Sequence, residues 1–460
     1  MLVFTLAGGL VAVSYLVIKY RERSAAEKSL KLAERAAVGA DLLEGITMLG
    51  NAEAPSTRIA GVYRLTQVAD TQRGEHRQRV VSILCGYLRS DRSEHYDAAV
   101  ESTILEALRQ HLKAQPASAG AEKPTPSGLE AGQMWWDCAF DLHGAVFADA
   151  LNLRGTVFKS AASFRGATFK RGANFEGVIF EQGAHFGGAT FERAVDFRRT
   201  IFEQDANFGG ATFESTAKFK GAAFKKTANL WRTTFRGAAD FRHATFNGTA
   251  NFWGTTFEAT ARFGTAAFKA TVNFKRATFE REANFGIASL EASVTFEDAA
   301  FKKSANFEDT SFEASTNFWH ATFEAPANFW RTTFGGIAGF RGASFEGDAN
   351  FWDSSFEQDA KFGGVTFRGS ANFKGARFER TAEFWRTALQ GHADFWGARF
   401  EQGANFARSA FEASADFHSV NFKAAPNFSG ASFESAGPRF SPDFGLDRQT
   451  GLPEGASWGP

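Results

Sequence analysis

The chain has 460 residues with 51 basic and 51 acidic side chains, and 53 of its residues are Phe. A net charge of zero excludes a strongly basic surface for nucleic acid and a strongly acidic surface for basic partners. The excess of Phe indicates internal repetition. The chain has two cysteines, Cys85 and Cys138, which is typical of a protein in a reducing compartment and not of a disulfide scaffold. A single disulfide bond between them is the alternative.

The N-terminus is an apolar run, Leu2 to Ile18, followed at once by Lys19, Arg21 and Arg23. Its length is at the lower limit for a membrane-spanning helix, and a signal peptide would carry its basic residues before the run. We therefore predict a transmembrane anchor over residues 1–19, with a buried core helix or a wrongly assigned start as the alternatives. The basic residues then place the repeat domain of a single-pass cell-membrane protein in the cytoplasm.

Residues 20–113 have the pattern of a small α-helical segment, and the last helix is the clearest. There Val100, Ile104, Leu108 and Leu112 recur on one face. Residues 114–134 are rich in Pro, Ala, Gly and Ser and lack an apolar face, so we predict a flexible linker.

From Leu142 to Phe433 a large apolar residue recurs at alternating intervals of five and six residues, without insertion or deletion. The period is therefore 11, as in Ala206-Asn207-Phe208-Gly209-Gly210-Ala211-Thr212-Phe213-Glu214. In a helical supercoil the two Phe of each unit would point in different directions, since five residues turn an α-helix by about 140°. Collagen needs Gly at every third residue, and a propeller blade needs about 40 residues. A β-solenoid remains, with Ala206 and Phe208 pointing inward and Asn207 outward.

The repeat resembles the motif of the pentapeptide-repeat proteins, in which Ala and Asn or Asp precede a central Phe or Leu. Ala173-Asn174-Phe175, Ala250-Asn251-Phe252 and Ala404-Asn405-Phe406 match it. The resemblance implies a mainly β fold, a right-handed quadrilateral β-helix over residues 135–433. The extra residue in alternate units is similar to the pattern of a Phe-rich subgroup of the family. This similarity implies that each coil consists of two 11-residue units and has two bulged corners. The repeat region would then contain about 13 coils.

The resemblance also implies a buried ladder of Phe side chains, each contributing about 1.5–3 kcal/mol. Its representatives are Phe175, Phe208, Phe213, Phe252, Phe285, Phe329, Phe373 and Phe406. The ends of such a ladder need cover. Candidates for the N-terminal cap are Trp135, Trp136 and Phe140, and residues 434–460 are expected to form a C-terminal cap and tail through Phe440 and Phe444.

Seven Trp residues each follow the first Phe of a unit and are expected to point outward. They are candidate partner-binding residues, and the alternative is that they brace the backbone. The seven are Trp231, Trp253, Trp319, Trp330, Trp352, Trp385 and Trp396. Glu commonly follows the second Phe, and we expect a solvated, charge-compensated face there. Asn precedes the first Phe in many units, and we expect hydrogen-bonded ladders.

The sequence has no phosphate loop, no nucleophile elbow and no metal-ligand spacing among its nine His residues. We therefore expect neither enzyme activity nor a cofactor or metal. The leading hypothesis is a membrane-tethered scaffold for a protein partner, in which the rods could also self-associate. The resemblance to the pentapeptide-repeat proteins implies one alternative, a DNA-mimicking modulator of gyrase or topoisomerase of the fluoroquinolone-resistance type. That role needs an acidic surface, and no nucleic-acid partner is expected. A purely structural spacer is the other.

Overall fold

A computed structural model of the protein describes residues 2–92, 97–113, 129–434, 437–441, 444–447 and 449–459, with side chains from Tyr15 onward. The chain forms two compact units. The first comprises Met1–Leu84, Asp91–Ala107 and Lys123–Met134. The second comprises Cys85–Ser90, Leu108–Glu122 and Trp135–Pro460.

Four α-helices precede the solenoid: α1 (Leu2–Leu49), α2 (Pro55–Thr71), α3 (Glu75–Arg89) and α4 (Ala98–Leu112). Helix α1 runs without a break through residue 19, where the anchor was expected to end. In α4 the four predicted apolar residues are buried. The final turns of α3 and α4 belong to the second unit, so the chain passes between the units more than once.

Close packing of α1 on α2 depends on a glycine. A Cβ atom on Gly61 would lie 2.6 Å from the backbone nitrogen of Leu49, which is closer than two such atoms can approach. Next to this contact Val62 and Leu65 are fully buried. The small residue therefore lets the two helix backbones meet and enclose the apolar side chains between them.

In the part of the chain that the structure describes, no helix is long and apolar enough to cross a membrane. The predicted anchor, Leu2 to Ile18, begins in residues 2–14, whose side chains lie outside the described residues. The predicted transmembrane helix is therefore not supported by the structure.

Of the predicted linker, residues 114–128 lie outside the described residues. Its end is ordered by hydrogen bonds to Arg77. A 3-10 helix spans Ala131–Gln133, and the Arg77 guanidinium donates to the backbone oxygens of Ala69, at 2.9 Å, and Met134, at 2.8 Å. This end of the predicted linker is therefore fixed within the first unit.

The solenoid consists of four parallel sheets, named sheets 1 to 4 in the order in which each coil visits them. Nearly all strands are two residues long, and each pairs with the strand that occupies the same place in the next coil. Sheet 1 runs from Phe140–Asp141 to Ala404–Asn405 and sheet 4 from Val157–Phe158 to Asn421–Phe422. Sheet 2 starts at Val146–Phe147 and sheet 3 at Leu151–Asn152.

Sheets 2 and 3 are longer than the repeat because the C-terminal segment adds to them. Sheet 2 continues through Ser432–Phe433 to Ser457–Trp458, and sheet 3 through Ala415–Phe417 to Arg439–Phe440. The four sheets have 13, 15, 14 and 13 strands, so the solenoid has about fourteen turns and not the 13 predicted. The predicted coil of two repeat units is confirmed, because Asn207 pairs with Asn229, two units further along the chain. Right-handedness stays a prediction.

The interior is filled by Phe rings in two arrangements. Rings in successive coils of one sheet stack in parallel, as do Phe164 and Phe186, with centroids 4.9 Å apart and planes 3° apart. Rings facing across the interior meet edge to face, as do Phe164 and Phe175, at 5.6 Å and 82°. Both geometries are favourable for aromatic pairs. The eight Phe chosen as representatives of the ladder are at most 1% exposed.

Two kinds of corner join the sheets. After sheets 1 and 3 comes a tight corner, in which the amide of Ala211, for example, donates to the oxygen of Phe208 at 2.9 Å. Gly210 within that corner has φ +68°, so the corner is a type II turn. After sheets 2 and 4 comes a wide corner, which holds the extra residue of the repeat. In the wide corner 214–216 no residue has positive φ.

The two ends of the solenoid are covered by residues that break the repeat. At the start Trp135 is fully buried and stacks on His111, with ring centroids 4.1 Å apart. At the other end Phe440 stacks on Phe417 at 5.2 Å and on Phe444 at 4.8 Å. Stacked aromatic rings thus continue the interior beyond the last regular coil.

Candidate interaction surfaces

The seven Trp residues occupy the second position of tight corners, and the structure divides them between two sheets. Trp231, Trp253, Trp319 and Trp385 follow strands of sheet 1, whereas Trp330, Trp352 and Trp396 follow strands of sheet 3. Since each coil visits the sheets in order, sheets 1 and 3 are alternate sides of the coil. A coil of two 11-residue units accounts for the neighbouring pairs, because Trp231 and Trp253 are 22 residues apart, as are Trp330 and Trp352.

On sheet 3 the Trp residues form a continuous ladder with a lysine. Trp330 and Trp352 lie in successive coils and stack, with ring centroids 5.7 Å apart and planes 23° apart. The ammonium of Lys374 in the next coil lies 5.7 Å from the ring centroid of Trp352 and 4.5 Å from that of Trp396. At exposed sites each such cation–π contact contributes about 0.5–1 kcal/mol.

The sheet 1 Trp residues lie against arginines and glycines. The Arg232 guanidinium lies 5.3 Å from the ring centroid of Trp231 and 5.0 Å from that of Trp253. A Cβ on Gly209, one coil before Trp231, would collide with the Trp231 indole. Trp385 has the same relation to Gly363. Absent side chains in neighbouring coils thus make room for the indoles.

Bracing leaves much of several indoles accessible. Trp231, Trp319, Trp352 and Trp396 are 39–44% exposed, and the other three are half-buried. These indoles therefore contact neighbouring residues and also leave a large apolar area exposed to water. The neighbouring residues hold the exposed faces in fixed orientations, and partner binding stays a prediction.

The arginine that follows Trp in three tight corners was missed by sequence reasoning. Arg232, Arg331 and Arg386 have φ values of 51–54°, a conformation that costs a non-glycine residue about 1–2 kcal/mol. Each lies over the ring of the Trp before it, at 4.4 Å in the pair Arg331 and Trp330. The recurring Trp-Arg-Thr triplet was the available signal.

Ladders of Asn side chains run beside the Trp residues. On sheet 3 the amide of Asn350 donates to Asn328 at 3.0 Å, and that of Asn372 donates to Asn350 at 3.0 Å. The Oδ1 atom of Asn328 also accepts the backbone N–H of Trp330 at 3.1 Å. The expected ladder is present, and its hydrogen bonds hold the backbone at the Trp residues.

The wide corners carry the expected charged rows, and on sheet 2 the cations of the row pair with glutamates. Arg236 lies between two glutamates, 2.6 Å from Glu214 and 3.8 Å from Glu258. Lys302 pairs with Glu280 at 2.9 Å, and Arg368 pairs with Glu346. Each of these cations lies three coils after the one before it, and two glutamates lie between successive cations. The negative charge of the row is therefore partly compensated, and such exposed pairs contribute little to stability.

In the described residues no group of His, Cys, Asp and Glu could hold a metal ion. Cys85 and Cys138 are both buried free thiols, so the bridge that the sequence left open is not formed. Burial raises the pKa of the Cys85 thiol to about 12, which keeps it protonated and unreactive near neutral pH.

These features define a repeat β-solenoid with a uniform interior and aromatic residues on two sides. A family model described as pentapeptide repeats (9 copies) matches residues 142–190, 180–223, 219–267, 288–333, 318–366, 351–399 and 362–410. These segments cover more than half of the chain, which therefore belongs to the pentapeptide-repeat family. No curated protein and no solved structure matches the chain. Assignment to a Phe-rich subgroup stays a prediction.

Proposed function

We propose that the protein is a non-enzymatic scaffold that presents the Trp residues of sheets 1 and 3 to a protein partner. The observation that carries the proposal is the ladder of Trp330, Trp352, Lys374 and Trp396, whose indoles are held in register and remain partly exposed. Trp is enriched among residues that dominate protein–protein binding. A uniform solenoid suits this role because it holds distant side chains at fixed spacings.

The proposal includes a tether to the cytoplasmic side of a membrane, which rests on the sequence from Leu2 to Arg23 alone. Its test is extraction of cell membranes with alkaline carbonate, which removes peripheral proteins but not spanning ones. We expect the full chain to stay with the membrane and a variant lacking residues 2–18 to be released. Release of both would remove the tether from the proposal and leave the scaffold role untouched.

The scaffold role is tested by crosslinking and pull-down from cells that express the full chain. The double variant Trp330→Ser and Trp352→Ser removes the stacked pair of sheet 3. Its matched control, Trp231→Ser and Trp253→Ser, removes the adjacent pair of sheet 1. We expect a partner that one double variant loses and the other retains. Identical recoveries of the partner with all three proteins would indicate that the indoles only brace the backbone, and would contradict the proposal.

A spacer is the alternative function, and a deletion distinguishes it from a scaffold. Removing residues 317–404 in register takes out four whole coils that include Trp319, Trp330, Trp352, Trp385 and Trp396. The remaining coils keep their pairing because the deletion removes a whole number of coils. A spacer tolerates the loss, whereas a scaffold loses its partner. Deletion of two whole coils that lack Trp, residues 262–305, is the control.

A further inference from the structure

A groove of about 550 Å³ opens on sheet 1 in the early coils of the solenoid. Its lining is Ser163, Arg165, His185, Gly187, Gly188, Asn207, Gly209 and Trp231. The groove exists because the second position of the tight corner is glycine in two successive coils, at Gly187 and Gly209. The same position is Arg165 one coil earlier and Trp231 one coil later, so these side chains form the two ends.

The dimensions suit an extended peptide that runs along the solenoid. Arg165 and Trp231 are three coils apart, which is about 14 Å at a spacing of about 4.8 Å per coil. An extended chain rises about 3.3 Å per residue, so about four or five residues bridge the two ends. Between the ends the Trp231 indole lies over Gly209, whereas Gly187 is uncovered and leaves room for a second backbone to approach closely.

The lining is rich in donors and contains no carboxylate. Arg165 supplies an exposed guanidinium and His185 an exposed imidazole. The Oδ1 atom of Asn207 already accepts from Gly209 at 2.9 Å and from Asn229 at 3.4 Å. The unused hydrogen-bonding capacity of Asn207 therefore includes its amide donors. In a chain with equal numbers of acidic and basic residues, such a groove is locally complementary to an anion.

We propose that this groove binds an acidic segment of a partner protein. A carboxylate of the segment pairs with the Arg165 guanidinium, whose planar donors match it. An apolar side chain a few residues away packs on the exposed face of Trp231. The inference rests on the proposed scaffold function and names the chemistry of one partner segment.

The test is a fluorescence-anisotropy titration of the full chain with a labelled peptide, Glu-Leu-Glu-Phe-Glu. We expect the peptide to bind, and the matched peptide Lys-Leu-Lys-Phe-Lys not to bind. The substitution Gly187→Glu fills the groove with a negative charge, and we expect it to weaken binding about tenfold or more. The fold tolerates glutamate there because Glu297 occupies the same position of the same column. Arg165→Gln should weaken binding several-fold.

The control is Gly264→Glu, which places the same charge at the same corner position on sheet 3. A Cβ there would lie 3.3 Å from the nearest neighbouring atom, compared with 3.5 Å at Gly187. We expect Gly264→Glu to bind the acidic peptide like the native chain. The inference is overturned if the acidic peptide does not bind, if Gly187→Glu and Gly264→Glu bind it equally, or if a single-stranded oligonucleotide of the same charge binds more tightly.

The titration and the pull-down that tests the scaffold role can fail separately. The pull-down compares Trp330 and Trp352 on sheet 3, which do not line the groove, with Trp231 and Trp253 on sheet 1, of which Trp231 does. Failure of the peptide to bind overturns the groove and leaves a sheet 3 partner in place. A pull-down without differences contradicts the scaffold proposal, whereas specific peptide binding would still support the groove.

Discussion

The tight and the wide corners of the solenoid both favour glycine, but for different physical reasons. In the tight corner, Gly210 has φ +68° and a Cβ built there would meet nothing within 4 Å, so the backbone conformation selects glycine. In the wide corner, Gly237 has no positive φ, but a Cβ would overlap the backbone of Ser215 in the preceding coil. One position needs conformational freedom and the other needs space.

This difference explains where the solenoid can vary. A tight corner accepts a larger residue at a conformational cost, and the side chain then points into open solvent. Arg232 and Ile287 are examples, with φ values of 51° and 60°. A wide corner built around glycine cannot accept a larger residue without moving a neighbouring coil. All seven Trp residues of the repeat lie at the tight corners.

Of the substitutions considered, a charge placed in the interior of the solenoid should lower the free energy of unfolding the most. Phe285 is fully buried, and Phe285→Asp would bury an unpaired carboxylate among aromatic rings. We expect a loss of more than about 4 kcal/mol in the free energy of unfolding, seen as unfolding of the central coils in thermal melts followed by circular dichroism. Phe285→Leu is the control, since Leu153 and Leu230 occupy equivalent positions, and should cost no more than about 1.5 kcal/mol. Unchanged melting of the Asp variant would refute the inward orientation.

Adding one methyl group to a glycine separates the two corners directly. We expect Gly237→Ala to destabilise the solenoid by about 1–3 kcal/mol, because the neighbouring coil must move. Gly210→Ala should cost about 1 kcal/mol, because only the backbone conformation is strained. Urea unfolding of both variants measures the difference. Equal costs would show that the coils adjust to the added methyl group as easily as the backbone does.

Replacing a strained residue by glycine should have the opposite sign in the two corners. Ile287 is β-branched, lies in a tight corner at φ 60° and is 64% exposed. We expect Ile287→Gly to stabilise by about 1 kcal/mol, since relief of the strained conformation exceeds the entropy that glycine loses. Ile337, in a wide corner without positive φ, is the control, and Ile337→Gly should destabilise by about 0.5–1 kcal/mol. The change in Tm of each variant decides the sign.

The smallest expected effect is the pH dependence of a wide-corner ion pair. Hydrogen bonds from Arg368 and Ser344 hold the pKa of Glu346 below its ordinary value. Because the folded pKa is the lower one, the stabilisation is present above the unfolded pKa of about 4.3 and is lost as the pH falls through the folded pKa. The difference in unfolding free energy between the native chain and Glu346→Gln should therefore shrink between pH 7 and pH 3. A difference that stays constant from pH 7 to pH 3 would contradict the lowered pKa of Glu346.

Several features of the fold could be predicted because the repeat is so regular. The 11-residue period follows from the spacing of Phe, the family resemblance implies a coil of two such units, and the pairing of Asn207 with Asn229 confirms that coil. The number of turns was underestimated, because Phe440 and Trp458 extend two sheets from a segment that no longer follows the repeat. Strand addition outside the repeat depends on long-range backbone pairing, which a local pattern does not contain.

Sequence by itself determined the interior of the solenoid, the columns in which the Trp residues lie and the charge balance of the wide corners. Each of these depends on spacing along the chain, because in a strictly periodic solenoid the residue number determines the sheet and the coil in which a residue lies. Only the tertiary structure decided what lies beside each indole: Lys374 between Trp352 and Trp396, and Gly209 under Trp231. It also decided that the absent side chain at Gly187, next to the Trp231 indole, leaves a groove. Such contacts depend on side-chain direction and on the free volume between coils, and the repeat period specifies neither of them.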